Sequence, residues 1–154
     1  EKGAQWQQAL ALLASATAAR LEPGVVALNA TLSAHEKGAQ WARALALLRA
    51  AQACGPEPTP ITYNATISAC EKGARWAAAL QLLQEVRAAR PCTDSVGLNA
   101  AVGACGRALQ WELALLLLAG ARGTSPAPDA VTFGSAILAC VGSDAWRSAV
   151  QLLG

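Results

Sequence analysis

PITYNATISACEKGARWAAALQLLQEVRAARPCTD, residues 60–94, is written again along the rest of the chain. The tryptophans show it directly: Trp6, Trp41, Trp76, Trp111 and Trp146 follow one another at a constant step of 35 residues. Asn29, Asn64 and Asn99 keep that step, as does Glu-Lys-Gly at Glu1, Glu36 and Glu71. Cys70, Cys105 and Cys140 form another column, with His35 in the place of its first member. A fixed period in this range is the signature of a solenoid of stacked supersecondary units. The 154 residues divide into a partial copy at 1–24, full copies at 25–59, 60–94 and 95–129, and a partial copy at 130–154, one array in all. The chain opens inside a copy and holds no methionine, which reads as a fragment of a longer protein.

A content of 54% hydrophobic and 14% charged residues argues against disorder, and most of the apolar part is Ala and Leu, strong helix formers. Each full copy reads as two helices. In 60–94 the first starts at Pro60, a favoured first helical residue, with Thr59 as its cap. Tyr63, Ile67 and Cys70 follow at i, i+4, i+7 and form an apolar stripe. It recurs as Leu28, Leu32 and His35, as Leu98, Val102 and Cys105, and as Phe133, Ile137 and Cys140. Gly3, Gly38 and Gly73 are expected to close these helices in the left-handed conformation that a residue without Cβ takes cheaply. The second helix is expected over about Arg75 to Ala89, burying Trp76, Leu80, Leu82, Leu83 and Val86. Neither helix buries its stripe alone, so the hairpins must stack. The fold class is all-α: an α-solenoid of helix-turn-helix repeats, right-handed by analogy with related repeats. The longest apolar run, near Leu113 to Ala121, is far short of the roughly 20 residues of a membrane span.

The polar face of the first helix carries the functional signal. Ile61, Asn64, Ser68 and Lys72 lie at steps of 3, 4 and 4 and share one stripe. The neighbouring copies repeat it as Val26, Asn29, Ser33 and Lys37, and as Val96, Asn99, Gly103 and Arg107. An apolar wedge, an amide and a cation once per copy suit one nucleotide per copy: a base between wedges, its edge read by the amide, its phosphate met by Lys37, Lys72 or Arg107. The net charge of +2 is too small to argue for a polyanion by itself, so placement carries the reading.

ITYNATISACEKGARWAAALQLLQEVRAARPCTD resembles along its whole length the pentatricopeptide repeat pattern VxYNxxIxxxxKxGxWxxALxLxxEMxxxxxxPD, and the likeness extends over the entire chain. The resemblance implies an α-helical solenoid that binds single-stranded RNA. It also implies an organellar protein, of the chloroplast before the mitochondrion, acting in processing, stability, editing or translation of transcripts. In that family the fifth and last residues of a repeat choose the base and the second sandwiches it. Carried over, the readers are Asn29 with Thr59, Asn64 with Asp94, and Asn99 with Asp129; the wedges are Val26, Ile61, Val96 and Val131. A carboxylate only accepts hydrogen bonds, so Asp94 and Asp129 would favour uracil, whose N3 carries a hydrogen, over cytosine, whose N3 is an acceptor. Thr59 would make a looser pyrimidine reader. Gly134, at a reading position, has no side chain with which to read.

Other readings compete at several positions. Thr59, Asp94 and Asp129 precede first helices and are good N-cap types. Lys37, Lys72 and Arg107 also suit the negative end of a helix dipole. The column of His35, Cys70, Cys105 and Cys140 invites a metal, but equivalent helices of neighbouring copies lie about 8 to 10 Å apart, whereas zinc ligands converge to about 2.0 to 2.3 Å. That spacing also exceeds the reach of about 7 Å between the Cα atoms of a disulfide. These residues are expected in the core, and five unpaired cysteines fit a reducing compartment. The tryptophans are expected to pack rather than stack on bases. No nucleophile, acid-base pair or phosphate loop is visible, so no enzyme activity, cofactor, metal or small-molecule substrate is expected. The rival is a protein-binding scaffold of the tetratricopeptide kind, whose period is about 34 residues and whose W-x-x-L-G-x-x-Y signature is not found here.

Overall fold

The helices begin and end where local chemistry asks them to. In the computed structural model, which describes residues 24–89, 95–121 and 127–143 and positions 8, 11 and 147, Thr59 caps the helix that opens with Pro60. Its hydroxyl accepts from the Thr62 backbone N–H, and the Thr62 hydroxyl accepts from the Thr59 N–H in return. Asp129 and Thr132 form the same reciprocal cap. Seven helices follow in order among the described residues: α1 (Val25–Lys37), α2 (Trp41–Cys54), α3 (Pro60–Lys72), α4 (Trp76–Ala89), α5 (Ser95–Arg107), α6 (Trp111–Ala121) and α7 (Ala130–Gly142). The expected helix over Gln5 to Ala19, and the second helix of the last copy, lie outside the described residues.

The turn between paired helices corrects the expected role of glycine. Gly38 and Gly73 have ordinary φ values of −84° and −87°. The left-handed residue is the next one: Ala39 and Ala74, both at φ 52°, and Leu109 at φ 57°. In all three turns the left-handed N–H and the one after it bond back to carbonyls of the last helical turn, as in Ala74 to Glu71 and Arg75 to Cys70. This is the Schellman arrangement. Gly73 is needed for space instead: a Cβ there would lie 2.4 Å from Cδ1 of Trp41, the tryptophan of the preceding repeat. Arg75 covers the face of that indole, 4.2 Å from its centroid.

The first helices pack in succession, α1 on α3 on α5 on α7, while α2, α4 and α6 each wedge between their own first helix and the next. The chain is thus a two-layer helical solenoid with a tight layer of first helices and a spread layer of second helices. A spread layer outside a tight one curves the array, so the free face of the first helices is the inside of the curve. Small residues permit the tight layer. A Cβ on Gly106 of α5 would meet the Ser135 carbonyl of α7 at 3.3 Å.

Between the layers runs the core. Leu32, Ile67, Val102, Cys70, Cys105 and Cys140 are fully buried at the stripe positions of the first helices, with Leu28 and Leu98 nearly so. His35 is buried in the same column and its Nδ1 donates to Gln40 Oε1 at 3.0 Å. From the second helices the deepest residues are Ala44, Leu48 and Ala51, then Ala79, Leu82, Leu83 and Val86, then Ala114, Leu118 and Ala121. Leu82 is buried as expected, but Leu80 and Trp76 are only half-buried and Ala79 takes the central place. Burial pushes the Cys70 and Cys105 thiols up to about 11, which suits inert packing residues. The side chain of Cys54, and Cys92, lie outside the described residues. Among the described residues no cluster of three His, Cys, Asp or Glu side chains could hold a metal, and no helix is long and apolar enough to cross a membrane.

Candidate nucleic-acid interface

The second residue of each first helix points away from the core. Single exposed apolar residues are ordinary on a protein surface, but an ordered row of them is informative. Val26, Ile61, Val96 and Val131 are 84%, 65%, 53% and 61% exposed, one per repeat in one register on the inner face. Beside each of the first three, one turn on, stands an asparagine.

Two of these asparagines are held by the repeat that follows. Asn29 Oδ1 accepts from the Thr62 hydroxyl at 2.7 Å, and that hydroxyl lies 3.0 Å from Thr59 Oγ1. Asn99 Oδ1 accepts from Thr132 Oγ1 in the same way, and Asn99 Nδ2 donates to both carboxylate oxygens of Asp129 at 3.2 and 3.0 Å. The structure therefore links Asn29 to Thr59 through the Thr62 hydroxyl, and Asn99 to Asp129 directly. Asp129 caps α7 and contacts Asn99 at once, so the cap and the pairing coexist. Its carboxyl is held below the usual aspartate range, first by the Thr132 N–H and then by the Asn99 amide. It is exposed. Asp94, the third partner residue, lies outside the described residues.

Asn64 is placed differently. The position of Thr62 and Thr132 is Gly97 in its repeat, and a Cβ on Gly97 would lie 2.8 Å from Asn64 Oδ1. Asn64 is 8% exposed, whereas Asn29 and Asn99 are half-buried. Gly134, in the last copy, offers no side chain.

Two of the three cations are engaged with carboxylates. Lys72 Nζ lies 2.9 Å from Glu36 Oε1, which also accepts from Ser68 Oγ at 3.0 Å. Arg107 Nε lies 3.4 Å from Glu71 Oε1. Lys37 is exposed. This ladder was not expected from the sequence; its signal there is a Glu one residue before the cation of its own copy, so that Glu36 and Lys72, and Glu71 and Arg107, stand 36 residues apart, one more than the period. In the last copy the ladder stops, since Val141 and Gly142 stand at the corresponding positions. On the outer layer, Arg49 binds Glu85 through both nitrogens at 2.8 and 2.7 Å, which joins α2 to α4.

No family model matches the sequence, and no curated protein matches it significantly. Among solved structures the chain is similar to the crystal structure of the pentatricopeptide repeat protein PPR10 from maize, with a TM-score of 0.81 and 25% identity over 99% of its own length. It spans 22% of that protein.

Proposed function

From the premise that this chain is an array of pentatricopeptide-type repeats, we propose that it binds single-stranded RNA along the inner face of its first helices, one base per repeat, with a preference for pyrimidines and for uracil. The observation that carries the reading is the exposed row of Val26, Ile61, Val96 and Val131. In sequence an asparagine follows each of the first three, and Asn99 donates directly to Asp129, which closes its own repeat, while Asn29 is linked to Thr59 through the Thr62 hydroxyl. Flat bases are the ligand that a ladder of apolar wedges with a polar group between rungs would take. An acceptor-only carboxylate at Asp129, beside a donor amide at Asn99, suits the N3–H of uracil. Binding rather than catalysis is the function. The same reading assigns the protein to an organelle, the chloroplast before the mitochondrion, in processing, stability, editing or translation of transcripts, and the family resemblance supports it.

The test is a titration of the chain with single-stranded oligo-U, oligo-C, oligo-A and a duplex, repeated with Asp129→Asn. Asparagine caps a helix as well as aspartate does, so the variant should keep its stability. Oligo-U is expected to bind above oligo-A and the duplex, and Asp129→Asn to move the base facing the third repeat from U toward C. Equal binding of all four ligands would overturn the reading.

A further inference from the structure

Thr62, Gly97 and Thr132 occupy one register, the third residue of the repeat that follows each asparagine. Where it is threonine, its hydroxyl donates to the asparagine Oδ1 and its bulk fills the inner corner between neighbouring first helices. At Asn99 the carboxamide then turns its Nδ2 to the exposed Asp129 carboxylate. Where it is Gly97, the corner is vacant and the Asn64 carboxamide fills it, so close that a Cβ at 97 would be 2.8 Å from its oxygen. The burial of Asn64 against the half-exposure of Asn29 and Asn99 is the consequence.

We propose that the third residue of each following repeat is a positioning residue that decides whether the asparagine before it is presented, and that Gly97 withdraws Asn64 from the reading face. This deepens the proposed function and rests on it for its consequence in RNA. The array would then read in an interrupted pattern: a base at Asn29, weak discrimination at Asn64, a base at Asn99, and none at Gly134. The choice of base would depend on a residue in the next repeat as well as on the two of its own.

The experiment has one arm without RNA and one with it. In the free protein, side-chain amide NMR signals are measured with a neutral gadolinium chelate, which attenuates groups according to exposure. In the parent chain Asn29 and Asn99 are expected to be attenuated strongly and Asn64 weakly. Gly97→Thr should bring Asn64 to the level of Asn29, and Thr132→Gly should draw Asn99 down to that of Asn64. An Asn64 signal unchanged by Gly97→Thr, together with an Asn99 signal unchanged by Thr132→Gly, overturns the proposal whatever happens with RNA. In the second arm, oligo-U carrying one A at each position in turn is titrated. Gly97→Thr is expected to sharpen U-over-A selection at the Asn64 base about tenfold, and Thr132→Gly to relax it about tenfold at the Asn99 base. Asn99→Ala separates the two ideas. If it abolishes selection while Thr132→Gly leaves it intact, the positioning role is wrong and base reading stands. If Asn99→Ala changes nothing, base reading fails and the RNA-free arm alone decides the position of the amides.

Discussion

Gly73 and Ala74 are neighbours with exchanged duties. The glycine sits at an ordinary φ, where any residue fits, and the alanine at φ 52°, where glycine fits best. Space explains the first, since Cδ1 of Trp41 would lie 2.4 Å from a Cβ at 73. Gly73→Ala should therefore destabilise the chain by about 1–3 kcal/mol through overpacking against a rigid indole. Ala74→Gly should stabilise it by about 0.5–1 kcal/mol, because the left-handed conformation costs alanine about 1–2 kcal/mol and glycine gives back part of that as entropy in the unfolded chain. Urea denaturation of the two variants checks both signs. Opposite outcomes would mean that the backbone angle, and not the tryptophan, selects the glycine.

Second helices meet their neighbours sparsely, which makes the α2–α4 link informative. The hydrogen bond from Arg49, more than any other influence, holds the Glu85 carboxyl below the ordinary glutamate range. A carboxyl whose folded pKa is depressed contributes stability above its unfolded value, about 4.3, and loses it as pH falls through the depressed one. Both side chains are partly exposed, at 44% and 29%, so solvent screening limits the gain. Glu85→Gln should cost less than about 1 kcal/mol at neutral pH. The difference from the parent should shrink as pH falls below about 4.3 and through the depressed value, as measured by denaturation at neutral and acid pH. A variant equal to the parent at neutral pH would show that the pair is ornamental to stability.

In the whole molecule each repeat touches only its neighbours, so charge along the inner face is organised locally. Lys72 and Arg107 spend their charge on Glu36 and Glu71, which leaves little to neutralise phosphate. Even if Lys72 and Arg107 release their carboxylates and join the exposed Lys37 on RNA, three contacts give a slope of log affinity against log salt of about −2. We expect that value or a shallower one in titrations across a salt series. A slope steeper than about −5 would place the binding surface elsewhere.

The period, the paired helices, the caps at Thr59 and Asp129 and the buried stripes through Ile67 and Val102 were all legible in the sequence. Each depends on residues within one or two helical turns, whose spacing is written directly in the chain. Asn29, Asn99, Thr59 and Asp129 were legible as candidates for the same reason. Contacts between repeats were not. Residues 33 to 36 apart meet only after stacking, as Thr62 meets Asn29 and Lys72 meets Glu36. The tertiary structure alone therefore decided that Ala79 outranks Leu80 in the core, that Gly73 makes room for an indole, and that Lys72 and Arg107 are paired. It also decided that Asn64, at the same repeat position as Asn29 and Asn99, lies deeper than either, against a glycine on the next helix where the other two meet a threonine.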